Sequence, residues 1–173
     1  MNGMREISTS ELNGNLFDKI DKEWFLLAAG DTKEVNMMTC SWGTVGELWG
    51  KRVAVAFVRK TRHTFTLLEK NDYFTLNFFG EKHRDALALC GSRSGRDVNK
   101  VAATGLTPVC CADAADVPYF AEAETVFVCR KLYADFIRPD CFCDPSLDGE
   151  NYGAKDYHKF YIGEILYTYT KDE

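Results

Sequence analysis

Within six positions, Arg59-Lys60-Thr61-Arg62-His63-Thr64 gathers the groups that bind a phosphate. It directly follows the apolar run 53–58 and opens a helical stretch. A helix start there offers free N–H groups, arginine a two-pronged fork, threonine a hydroxyl. The same residues also suit a basic surface turn with Thr61 capping the helix. A second group, Asn36-Met37-Met38-Thr39-Cys40-Ser41-Trp42, sets small polar side chains beside a large aromatic at a strand end. Such groups can reach the edge of a planar ligand while Trp42 or Met38 covers its face. A half-buried strand with Thr39 and Ser41 facing water has the same pattern. Ser92 to Lys100 reads as a polar turn capping the next helix, with a second anion-contacting loop as the alternative. Asp156-Tyr157-His158-Lys159 holds one of only three histidines, a candidate proton or ligand contact. Cys141-Phe142-Cys143 is a dithiol or half a metal site; no Cys/His cluster completes four ligands, so no metal is expected and free loop thiols are.

The chain that must position these groups has 173 residues and a net charge of -5. With 46% hydrophobic and 13% aromatic residues it can bury one core. The acidity argues against general nucleic-acid binding and against anionic membrane surfaces. The charge is uneven: residues 51–100 carry 11 Lys and Arg against 5 Asp and Glu. That basic middle suits a small anion, and equally a solvated basic face. The longest apolar run, 24–30, is too short to span a bilayer. Residues 1–10 are polar and show no secretory pattern, so the cytoplasm is the expected compartment. Seven cysteines cannot all pair within the chain, and reduced thiols are expected.

Leu12, Leu16, Phe17 and Ile20 recur at helical spacing. Residues 24–29 and 35–42 read as a hairpin turning at Gly30-Asp31, and Gly43, Gly46 and Gly50 as a loop. Strands follow at 53–58, 73–79, 124–137 (single or bent) and 157–169; short helices are expected at 64–70, 84–90 and 97–104. Residues 138–152 read as a loop. About six strands, no regular alternation of strand and helix, and no G-x-G-x-x-G disfavour a doubly wound dinucleotide fold. A single domain over 1–173, a mainly antiparallel barrel with peripheral helices, fits better.

Taken as an ordered set, N-M-M-T-C-S-W, F-V-R-K-T-R-H-T, L-N-F-F, C-G-S-R-S-G-R-D-V-N-K, T-G-L-T-P and Y-H-K-F-Y-I-G-E-I resemble the flavin reductase-like, FMN-binding split-barrel family, in its flavoredoxin branch. The resemblance implies a mainly β, six-stranded antiparallel split β-barrel with a Greek-key path and short peripheral helices. It implies FMN near the interface of a homodimer. On this footing Met38, Thr39, Cys40, Ser41 and Trp42 line the flavin ring. Arg59, Arg62, His63 and Thr64 hold the phosphate end, and Asn77, Phe78 and Lys100 are further contacts. The implied activity is an NAD(P)H-dependent flavin reductase or oxidoreductase with a second electron acceptor and His158 as a nicotinamide contact. The alternative is an FMN electron carrier served by a protein partner, without nicotinamide.

Overall fold

A computed structural model describes residues 3–171; residues 1, 2, 172 and 173 of the expected domain lie outside the described residues. In chain order the elements are β1 (Met4–Ile7), α1 (Leu16–Asp21), β2 (Phe25–Gly30), β3 (Val35–Cys40), β4 (Gly43–Leu48), β5 (Lys51–Arg59), α2 (His63–Lys70), β6 (Tyr73–Phe78), α3 (Arg84–Ser92), α4 (Lys100–Thr104), β7 (Pro108–Cys111), β8 (Val117–Phe120), β9 (Thr125–Phe136), α5 (Ser146–Asn151) and β10 (His158–Lys171). Eight strands form one antiparallel sheet in the order β3-β2-β6-β9-β10-β5-β4, with β1 also on β10. Its two ends, β3 and β4, do not pair with each other, so the barrel is split. They are consecutive in sequence, joined by Ser41 and Trp42 alone.

Period-two alternation builds both packed layers from single strands. On β2, Phe25, Leu27 and Ala29 point into the barrel interior with Phe74, Phe78, Phe127 and Tyr161. Leu26 and Ala28 point out, under α3 and the β7–β8 hairpin, with Leu87, Phe120 and Val126. The whole of β2 is buried, which is why its sequence is a continuous apolar run. Gly30 turns the chain at φ 124°, where a Cβ would lie 1.8 Å from the Glu34 carbonyl oxygen.

Several elements differ from the sequence expectation. The glycines at 43, 46 and 50 belong to strand β4 and its turn, not to a loop. Leu48 pairs with Lys51, so only Trp49 and Gly50 turn the hairpin, both at positive φ. That is the backbone of a two-residue turn whose twist matches the strands. The β7–β8 hairpin and β1 are additional strands, and α5 lies inside the stretch 138–152 expected to be loop. Among the described residues no helix is long and apolar enough to cross a membrane.

Candidate functional site

A cavity of about 200 Å³ opens between the end of β3 and the paired strands β5 and β10. Met38, Thr39 and Cys40 reach it from β3, Ser41 and Trp42 from the link to β4. Phe57 and Arg59 come from β5, Arg62 from the start of α2, and His158 from the head of β10. The register His158↔Arg59 fixes β5 and β10 side by side there. After Arg59 the chain turns tightly, Arg62 N–H donating to the Arg59 carbonyl at 3.0 Å, and α2 begins. Arg62 is the residue before the first helical turn and caps it with no side-chain bond. Thr61 is therefore not the cap; its hydroxyl donates to Asp156 Oδ2 at 3.0 Å.

The two arginines are used differently. Arg59 donates to the carbonyls of Asp156 (2.7 Å) and Asn151 (3.0 Å) and lies over the Tyr152 ring at 5.1 Å, so it clamps the segment leading into β10. Arg62 donates from Nη1 to the Gly91 carbonyl at 2.8 Å, at the end of α3. Its other donors face the cavity side of a planar fork with no further bond among the described residues. Thr39 donates its hydroxyl to the Leu87 carbonyl on the same helix.

Among the described residues that line the cavity, these guanidiniums are the charged groups. Burial, then the positive charges of Arg59 and Arg62, push the His158 imidazole down from 6.5 to about 4, against a smaller opposing effect of Asp156. His158 is therefore neutral near pH 7. Its Nδ1 meets the Tyr152 hydroxyl at 2.9 Å, and its ring packs against Trp42 at 5.3 Å. When Tyr152 donates to Nδ1, Nε2–H is left as a donor. Burial pushes the Cys40 thiol up to about 12 despite Arg62, so it too is uncharged. The site thus presents fixed cations, neutral hydroxyls and aromatic walls, a setting for a planar anion.

Five expected site residues lie outside this cavity. Asn77 is wholly buried; its amide donates to the Leu26 carbonyl (3.1 Å) and Thr75 (2.9 Å) and accepts from Phe120 N–H (3.0 Å), which clips the β7–β8 hairpin to β6. Phe78 packs in the barrel interior against Phe25 and Phe127. Lys100 is buried with Nζ at 2.8 Å from both the Met37 and Cys90 carbonyls, so its ammonium ties β3 to α3. Thr64 is buried and accepts from Asn36 Nδ2 at 2.7 Å. His63 lies beside Glu34, Nε2 to Oε1 3.5 Å, while its Nδ1 is buried without a partner among the described residues. The loop around Gly95 is structural: a Cβ there would lie 2.1 Å from Asn36 Oδ1, Arg96 donates to the Thr61 carbonyl at 2.8 Å, and Asn99 caps α4. Sequence reasoning missed Phe57 and Tyr152. Phe57 was available from alternation, two residues before Arg59 on one strand; Tyr152 arrives from a loop and leaves no local signal.

Past Trp42 and Phe57 the cavity continues into a chamber of about 650 Å³, walled by α1, α5 and the segment before it. Its lining is mostly apolar (Phe17, Ile20, Ile137, Phe142, Leu147, Tyr152), with Asp18 and Asp21 as its charged residues. No group of metal-ligating side chains occurs among the described residues.

Comparison with protein-family models matches the flavin reductase like domain over residues 18–173. A search of curated protein sequences found no match. Among solved structures, the chain is similar to the FMN-binding domain of a flavin reductases-like enzyme from Shewanella baltica OS155, with TM-score 0.68 and 15% identity, covering 97% of this chain and 77% of that one. It is similar to the flavoredoxin of Desulfovibrio vulgaris (Miyazaki F), with TM-score 0.66 and 21% identity, covering 87% and 69%. It is also similar to an NADH:FAD oxidoreductase from Streptomyces globisporus C-1027, with TM-score 0.64 and 16% identity, covering 87% and 74%. At these identities the likeness shows the split-barrel fold.

Proposed function

The chain belongs to the flavin reductase like domain family, and from that premise we propose that it is an oxidoreductase that holds FMN at the split of the barrel and draws its electrons from NAD(P)H. One observation carries the reading. Arg59 and Arg62 line one cavity together with the Met38–Trp42 segment, Phe57 and a neutral His158. Two guanidiniums next to aromatic and hydroxyl walls match a flat ring that ends in a phosphate. Bound there, FMN would supply two-electron chemistry.

The protein's own residues do the rest. Arg62 binds the phosphate with its free donors, and Arg59 holds the 151–156 segment so that Tyr152 can orient His158. Trp42 and Phe57 exclude water from the ring edge. His158, kept neutral, offers a hydrogen bond to a substrate rather than a proton. The test is aerobic oxidation of NADH and NADPH by the purified, FMN-loaded protein. Turnover of either supports the reading; an FMN-loaded protein that oxidises neither overturns the nicotinamide part.

A second reading, an FMN electron carrier reduced by a protein partner, is favoured by one observation. The chamber beyond Trp42 carries Asp18 and Asp21 and no lysine or arginine, so it offers nothing to a dinucleotide's pyrophosphate. The same assay separates the two. We also propose a homodimer. Exposed large aromatic rings support it: Phe17, Trp42, Trp49 and Tyr133.

A further inference from the structure

The structure sorts the seven cysteines into two groups. Cys40, Cys90, Cys111 and Cys129 are buried and Cys110 is half-buried, whereas Cys141 and Cys143 are exposed. Burial pushes the Cys40 thiol up to about 12 and Cys90 up to about 11, and raises Cys129 and Cys110 as well. Since the thiolate is the reacting form, those four are held inert. Cys141 ends a short 3-10 turn, Pro139–Cys141. Arg138 lies against it: the sulfur is first among the groups that hold that guanidinium charged, ahead of Asp140 and Asp135.

The residue between the two thiols points the other way. Phe142 has extended backbone (φ -71°, ψ 117°), so Cys141 and Cys143 share one side and Phe142 the opposite one. Burial agrees: the cysteines are exposed and Phe142 half-buried. Phe142 lines the apolar chamber and packs on Tyr152 with ring centroids 6.0 Å apart. Tyr152 in turn bonds His158 in the cavity.

We propose that Cys141 and Cys143 are a redox-active dithiol, a site of thiol–disulfide exchange whose closure moves Phe142 and reshapes the chamber beside the cavity. The co-reactant is a low-molecular-weight disulfide, RSSR. The Cys141 thiolate attacks one sulfur, forming a mixed disulfide and releasing one RS⁻. The Cys143 thiolate then attacks the Cys141 sulfur, forming the intrachain bond and releasing the second RS⁻. The dithiol loses two electrons and two protons, and RSSR gains the electrons as two thiolates. Closure at the commonest separation of about 5.5–6 Å draws the segment in. Two extended steps of about 3.3 Å each put the Cα atoms near the upper end of the usual disulfide range of about 4.4–6.8 Å. The bend falls on Phe142.

The experiment treats the full-length protein with oxidised glutathione, blocks free thiols and maps peptides by mass. The expected result is a loss of two hydrogens on the peptide that contains both Cys141 and Cys143, with the buried cysteines unmodified. Cys143→Ser should stop at a glutathione adduct on Cys141. Oxidation should also change Trp42 emission, reversibly with dithiothreitol. That change should be absent in Cys143→Ser and in Trp42→Phe. Separate adducts on both cysteines with no intrachain bond, or no reaction at either, would overturn the dithiol. Closure with unaltered Trp42 emission would overturn the coupling to the chamber.

Discussion

Acid should destabilise this fold through His158, and the structure gives the size of the effect. The residue is 9% exposed, hydrogen-bonded to Tyr152 and faced by Arg59 and Arg62, which together with burial bring its pKa from 6.5 to about 4. In the unfolded chain it titrates near 6.5. Above that pH neither state binds the proton and His158 contributes no pH dependence. Below it the unfolded chain takes up a proton that the folded chain refuses. Stability then falls by up to about 1.4 kcal/mol per pH unit until the folded state also protonates near pH 4. The total approaches about 3 kcal/mol, a large share of a typical domain stability of about 5–15 kcal/mol. The assay is urea unfolding of the parent and of His158→Gln at intervals from pH 7.5 to pH 4.5. The offset between the two at pH 7.5 contains lost packing and the altered Tyr152 bond. The change in that offset with pH isolates the titration, because His83, also held low by burial, is common to both proteins. The parent should lose about 2–3 kcal/mol more than the variant over this range. Parallel stability curves would refute the assignment of a neutral, proton-refusing imidazole to the cavity.

Four further outcomes are expected. Arg62→Ala should weaken FMN binding by about 1.5–3 kcal/mol, ten- to a hundredfold, and leave riboflavin nearly unaffected, as measured by calorimetry; equal losses would mean that its bond to Gly91 matters more than any phosphate. Lys100→Met should cost about 1–3 kcal/mol for each of the two buried carbonyls left unpaired, read by urea unfolding, with FMN affinity unchanged. Gly95→Ala should destabilise by about 1–3 kcal/mol, because the new Cβ displaces the Asn36 amide from Thr64, and melting curves would show it. Light scattering should give a mass near twice 19.6 kDa; a monomer that still binds FMN would exclude both the dimer and a site shared between subunits.

What the sequence disclosed depended on how locally each feature is encoded. The strands at Phe25–Gly30, Lys51–Arg59 and Tyr73–Phe78 were legible because continuous apolar runs and alternation are local patterns. Strand β4 was not, since Gly43 and Gly46 remove the side chains by which a strand is recognised, and Gly43 instead lets Val55 approach closely. The Trp49-Gly50 turn hides for a related reason: positive φ at a tryptophan follows from the hairpin's register, not from the residue's own preference. Within the cavity, Met38 to Trp42, Arg59, Arg62 and His158 stood out by residue type with a structural role equally open, the resemblance assigned them to the site, and the register of β5 on β10 sets Arg59 beside His158. Asn77 and Lys100 misled because a polar or charged side chain in a motif can equally satisfy buried backbone. Two of their partners, Phe120 N–H and the Met37 carbonyl, lie 43 and 63 residues away in sequence.

The strand order has a consequence for how the molecule comes into being. β10 stands between β9 and β5, and the β3-β2-β6-β9 block meets the β5-β4 block in the sheet only through it. During synthesis both blocks exist before the strand that joins them. Each then has an open flank, Thr125–Phe136 on one side and Lys51–Arg59 on the other, waiting for the same late partner. Arg59 cannot face His158, nor β5 pair along its second side, until that strand leaves the ribosome. The cavity is thus completed only once β10 emerges, and a nascent chain stalled before His158 would carry two unpaired flanks open to edge-to-edge association.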